Sequence, residues 1–149
     1  MVQGIIVLSR ALVFIEKDDV LVQRDLTSAD EFYRVPGGTV EFREKMDDCL
    51  VREIREETGL DLKVVRLIWV RDFIEQMSEH TIEFFFLTEI VGGKFNSALE
   101  IDYGYEFLFM SLEELEQVVF YPKGLIPKLK CLRDNRNITV KNPYLRSIN

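Results

Sequence analysis

Residues 5–15, IIVLSRALVFI, are almost uninterruptedly apolar, and such a β-branched and aromatic run predicts a strand. EKDD follows as a turn, VLVQRD as a returning strand, and LTSADE as a loop. FYRVPGG reads as a short strand ended by Pro36, Gly37 and Gly38, where the backbone is expected to turn. Residues 44–58 carry no glycine or proline and are rich in Glu, Arg and Leu, so they predict a helix. Gly59 supplies its stop, because glycine enters the left-handed region cheaply. Val, Ile and Phe then dominate residues 62–74 and 81–91, which predict two long strands. GGKFNSALEIDYGY is a loop and EFLFM a further strand. SLEELEQVV opens with Ser111 and Glu114 at capping-box spacing and predicts a second helix. A third helix is expected to start near Pro127, since proline suits a first turn. Strands, helix, strands, helices is an α/β (α+β) order: a mixed sheet with helices packed on it, not a regular βαβ repeat.

Composition narrows the class. A length of 149 residues predicts one domain spanning 1–149, and 47% hydrophobic residues can build its core. The net charge of -7 argues against a nucleic-acid polymer as partner. Cys49 and Cys131 form neither a disulfide framework nor a zinc pattern, and the single histidine, His80, excludes a multi-histidine metal centre. Arg10 interrupts the apolar N-terminal run and no basic segment precedes it, so it reads as a strand and not a signal peptide. No apolar run approaches the ~20 residues of a membrane span. The expectation is a soluble cytoplasmic protein.

The chemistry concentrates in VREIREETGL, residues 51–60. Glu53, Glu56 and Glu57 stand at i, i+3 and i+4, where like charges cost an isolated helix roughly 0.2–0.5 kcal/mol per pair. At 3.6 residues per turn they share an arc of roughly 100°. Leu50 and Ile54 beside that arc can anchor the helix to a core. Clustered carboxylates suit Mg²⁺, a hard cation that shares its shell with phosphates. The alternative is a solvated acidic face paired locally by Arg52 and Arg55.

The residues preceding the helix extend the pattern. Gly38, Glu44, Arg52, Glu53, Ile54, Glu56, Glu57, Gly59 and Leu60 fit G-x5-E-x7-R-E-U-x-E-E-x-G-U, with U aliphatic. This resembles the Nudix box of the MutT-like nucleotide pyrophosphohydrolases at every fixed position. The resemblance implies an α/β/α sandwich around a mixed central sheet. It implies hydrolysis of a nucleoside diphosphate linked to another group, with Mg²⁺ or Mn²⁺ as cofactor and a small nucleotide as substrate. By position, Glu53, Glu56 and Glu57 would be metal ligands, with Glu53 also orienting or deprotonating the attacking water. Arg52 would hold a neighbouring glutamate, Glu44 would brace the loop against the helix, and Gly38 would offer its carbonyl to metal. A further ligand is expected downstream, where LEIDYGYEF offers Glu100, Asp102 and Glu106. Glu106 is favoured from its place before FLFMSLEEL, against the alternative of a solvated loop carboxylate.

Cys49 reads as a packing residue and His80 as a surface or hydrogen-bonded one. The run Phe84, Phe85 and Phe86 must project to both sheet faces. One of these rings, or Tyr33 or Phe73, is a candidate for stacking on a base. In the family resembled here, ADP-ribose hydrolases often carry a proline about sixteen residues beyond the box, and dinucleoside polyphosphate hydrolases a tyrosine nearby. This chain has EQMSE there, which weakens both assignments without excluding either; nucleoside triphosphates, oxidised nucleotides and nucleotide-sugar-like diphosphates are the remaining broad candidates. A non-catalytic nucleotide-sensing domain of the same fold stays open, as does a homodimer.

Overall fold

The computed structural model describes residues 4–16, 19–75, 79–146 and 148. The elements run β1 (Ile5–Ile15), β2 (Asp19–Asp25), β3 (Phe32–Arg34), β4 (Gly37–Thr39), α1 (Met46–Thr58), β5 (Leu60–Glu75), β6 (Glu79–Gly93), a 3-10 turn (Ile101–Tyr103), β7 (Tyr105–Ser111), α2 (Leu112–Leu115) and α3 (Leu125–Asp134). Among the described residues the sheet has seven strands; β1 and β6 pair parallel and the other named pairs are antiparallel. No described helix is long and apolar enough to cross a membrane.

The apolar run of β1 lacks alternation because both of its faces are covered. Ala11 and Val13 pack with Leu50 and Ile54 of α1. Leu12 and Phe14 point the other way, to Leu112 and Leu115 of α2 and Leu125, Leu129 and Leu132 of α3. Helices therefore cover both faces of the mixed sheet, as the expected α/β/α sandwich requires.

Strand pairing opens a cleft. β1 and β2 are partners only at Phe14–Val20 and Ile15–Asp19, next to their turn. Beyond it β1 continues with β4 and β6, while β2 continues with β3 and β7.

Several boundaries differ from expectation. Gly37 and Gly38 do not turn the chain; they lie in β4, opposite Arg10 and Ser9 of β1. A Cβ on Gly37 would strike the Ser9 carbonyl oxygen, so the glycine is there for close approach of two backbones. α1 begins at Met46, because the Glu44 side chain is drawn to Arg52 instead of into a helical turn. Gly59 does end α1, at φ 78°. α2 stops after one turn, although its Ser111–Glu114 capping box is complete. Helix α3 starts at Leu125, which puts Pro127 third in the first turn, where a missing N–H breaks no intrahelical bond.

Candidate active site

Arg52 is the hub of the box. Its Nε donates to Glu44 Oε1 at 2.8 Å and its Nη2 to Glu44 Oε2 at 3.0 Å, a bidentate clamp from helix to loop. Nη1 donates to Glu53 Oε1 at 2.8 Å and to Glu56 Oε2 at 3.4 Å. The clamp, helped by the Glu41 backbone N–H, holds the Glu44 carboxyl at about 2. One guanidinium thus relieves much of the like-charge cost on this face.

Glu57 has no such relief. Its Oε2 is buried without a hydrogen-bond partner. Burial, then the charge of Glu53, raises its carboxyl to about 8; Glu100 adds to the rise, and Arg10 and Arg34 oppose it. Glu56 and Glu57 also occupy the last turn of α1, where the exposed carbonyl ends disfavour negative charge by about 0.3–1 kcal/mol. Burial raises Glu53 as well, against the pull of Arg52. Gly38 packs directly on Glu53: a Cβ there would lie 2.6 Å from Glu53 Oε1 and overlap the carbons behind it.

Among the described residues, no three acidic, histidine or cysteine side chains converge as they stand on a cation-sized point. Glu53 and Glu56 are both turned toward Arg52. The residues nonetheless fit a hard divalent cation. The orphaned Glu57 oxygen lacks a positive partner, the donors are all oxygen, and Glu56 is exposed and can swing at little cost.

The downstream acids separate. Glu106 accepts from Arg24 Nη1 at 3.0 Å. The two are partners across β2 and β7, and neighbouring Phe107 and Leu21 face α1, so Glu106 and Arg24 face away from it. The structure does not bring Glu106 to the α1 glutamates; it brings Glu100 within electrostatic reach of Glu57.

A cleft of about 550 Å³ is walled by residues including Arg10, Arg34, Arg71, Phe73, Glu83 and Tyr121, of which Arg10 and Arg34 lie within electrostatic reach of Glu57. Glu83 Oε1 accepts from Arg10 Nε at 3.0 Å and Oε2 from Arg71 Nη1 at 2.5 Å. Burial alone would raise Glu83, yet Arg10 and Arg71 hold it below its ordinary value. Burial and the nearby Arg10 lower Arg34, whose side chain meets Gln23 at 2.7 Å and Asp25 at 3.5 Å. Phe32 meets Tyr121 edge-on at 5.6 Å and lies under the Arg34 guanidinium. The sequence reading places none of these arginines in the site, Arg10 counting there only against a signal peptide, although a signal existed. Arg10 and Arg71 interrupt apolar strand runs, as Glu83 does, and a charge inside a covered strand needs a partner.

Phe73 and Phe85 of the candidate rings line the cleft, whereas Tyr33 packs against the core. Cys49 is buried, its thiol pushed up to about 12 by burial, and Sγ faces the Thr39 carbonyl at 3.4 Å and the Gly38 carbonyl at 3.8 Å. It packs the β4–α1 junction, as expected. His80 Nε2 lies 3.2 Å from Asp72 Oδ1 and is not among the cleft residues.

The NUDIX domain model matches residues 7–129. Over 115 residues the chain is 33% identical to the ADP-ribose pyrophosphatase of Methanocaldococcus jannaschii, which covers 75% of this chain and 66% of that one. Over 93 residues it is 30% identical to the 8-oxo-dGDP phosphatase NUDT18 of Danio rerio, covering 62% of this chain and 27% of that one. The chain thus spans just under two thirds of the first relative and about a quarter of the second. The crystal structure of an ADP-ribose pyrophosphatase from Streptococcus suis superposes with a TM-score of 0.68, over 93% of this chain and 98% of that one. At 24% identity it shares the fold.

Proposed function

This chain belongs to the NUDIX domain family, and from that premise we propose that it hydrolyses the P–O–P linkage of a nucleoside diphosphate derivative by direct attack of water. The observation that carries the proposal is Glu57, a carboxylate with a buried, orphaned oxygen within electrostatic reach of the cleft arginines Arg10 and Arg34.

Glu53, Glu56, Glu57 and the Gly38 carbonyl would hold Mg²⁺ or Mn²⁺, with Glu100 the acid best placed to join them. The cation, when bound, neutralises phosphate charge and acidifies water. Glu53, held in orientation by Arg52 Nη1, is the carboxylate that would orient or deprotonate the attacking water. Arg10 and Arg34 face the phosphates. Their mutual repulsion is relieved by an anion between them, so binding energy goes to the diphosphate. The rings of Phe32, Phe73 and Tyr121 offer apolar surface to the nucleoside. A covalent route has little support, since Cys49 is buried with a raised thiol and His80 is engaged with Asp72.

The relative named for ADP-ribose strengthens that compound as a candidate, beside nucleoside triphosphates, oxidised nucleotides and nucleotide sugars. The test is a panel of these with Mg²⁺ and Mn²⁺ in ¹⁸O-water. One label in one phosphate product per turnover is expected; a trapped phospho-protein rejects direct water attack. The nucleotide-sensing alternative draws on one observation, that Arg52 turns Glu53 and Glu56 away from a shared point. Tight nucleotide binding without cleavage across the panel would establish it.

A further inference from the structure

We propose that residues 143–146 together with Ile148 brace the cleft from the edge of β5, fixing Arg71 as a donor that reads an acceptor oxygen on the nucleotide. This rests on the hydrolase reading above.

The segment docks on the outer edge of β5. The Val70 backbone N–H donates to the Pro143 carbonyl at 2.9 Å, and the Leu145 N–H donates to the Val70 carbonyl at 2.8 Å. Tyr144 hydroxyl donates to Asp72 Oδ2 at 2.5 Å, and the Leu145 side chain is buried in the core. The chain then reaches the cleft side. Arg71, whose neighbours Val70 and Asp72 hold the segment, donates through Nε to the Ile148 carbonyl at 3.2 Å. Its Nη1 meets Glu83, and its guanidinium lies 4.7 Å above the Phe73 ring.

Each contact removes a different freedom. Glu83 anchors one end of the guanidinium, Phe73 sets its plane, and the Ile148 carbonyl stops rotation about the Glu83 bond. A guanidinium has five N–H donors in a fixed fork, and two are used here. The remainder belong to a group that lines the cleft. A pre-organised donor loses little entropy on binding, so its orientation sets affinity for the acceptor that meets it.

The experiment uses three variants: deletion of residues 147–149, Arg71→Lys, and both together. The deletion keeps Tyr144 and Leu145, so the edge docking persists; melting curves check this. Binding is measured by calorimetry with Mg²⁺, using whichever of the α,β-methylene analogues of ADP, GDP and UDP binds wild type most tightly. About a tenfold rise in Kd is expected for each single variant, with the double variant within twofold of Arg71→Lys, because coupled residues are not additive. On a cleaved substrate KM should rise by the same factor with kcat within twofold. Methylene diphosphonate locates the acceptor: weakened binding of it too assigns a phosphate oxygen, unchanged binding a nucleoside oxygen. A deletion that binds like wild type, or single effects that multiply in the double variant, overturns the inference alone. If wild type neither binds nor cleaves any nucleotide of the panel, the hydrolase reading falls and this inference with it.

Discussion

Glu57 gives the protein without cation an unusual pH profile. In the folded chain its carboxyl is raised to about 8, mainly by burial and the charge of Glu53. In the unfolded chain it titrates near the ordinary glutamate value of about 4.3. Between these values the folded state binds a proton that the unfolded state has released, so stability falls as pH rises. The slope for one proton is about 1.4 kcal/mol per pH unit, which sets a ceiling of about 4 kcal/mol between pH 5 and pH 8. Water entry and local relaxation raise the effective dielectric, and about 2 kcal/mol is the expected fall. Glu53 is raised too and acts with the same sign.

The assay is urea unfolding in EDTA from pH 5 to pH 9, on wild type and Glu57→Gln. The amide copies the neutral carboxyl, so the variant should show a flatter profile and be the more stable protein at pH 8. Mg²⁺ at a hundredfold excess over its dissociation constant should restore wild type by about 2.7 kcal/mol at pH 8, and Glu57→Gln by far less. Parallel profiles in EDTA would mean that Glu57 is ionised in the fold and not short of a partner. An equal response of both proteins to Mg²⁺ would remove it from the ligand set.

Gly38→Ala should lower kcat by about 100-fold with little loss of stability, because the new Cβ must displace Glu53 and misplacement by about an ångström has that effect; steady-state kinetics and melting check both halves. Glu53→Gln should cost about 10²–10⁴ in kcat while circular dichroism stays native, and near-normal turnover would exclude it as the base. Gly59→Val should do the reverse, destabilising by at least about 2 kcal/mol in urea, since φ is 78° and its Cβ would strike the Lys94 carbonyl. Glu83→Gln should cost about 3–5 kcal/mol in the same assay by leaving Arg10 and Arg71 in the cleft wall without their carboxylate.

Local rules made the box helix legible. Gly59 does end α1 in the left-handed region, and Leu50 and Ile54 do anchor it to the sheet. The strand runs were legible too, because β1, β5 and β6 announce themselves by β-branched and aromatic content. What escaped depends on which strands meet. Pro36-Gly37-Gly38 looks like a turn by composition, and only the tertiary contacts reveal that Gly37 is there for the β1 backbone and Gly38 for the Glu53 side chain. The sequence reading favours Glu106 over Glu100, whereas strand register turns Glu106 to Arg24 and the turn before β7 brings Glu100 within electrostatic reach of Glu57. The arginine cleft draws on β1, β3 and β5 together, so no local window contains it.

The charge arrangement explains why a helix tolerates three glutamates on one arc. Arg52 offsets Glu53 and Glu56 and clamps Glu44, which removes the cost at the loop end of the box. Glu57 is one position too far along and lies in the last turn, where the helix carbonyls add to its burden. The positive charges that act on it, Arg10 and Arg34, belong to the cleft, and Arg10 is already committed to Glu83. The unpartnered carboxyl on α1 and the crowded guanidiniums in the cleft wall therefore lie within electrostatic reach of one another. A cation meets the first and a diphosphate the second. Each also screens the other from the like charges next door, so the two ligands should favour one another's binding in this chain.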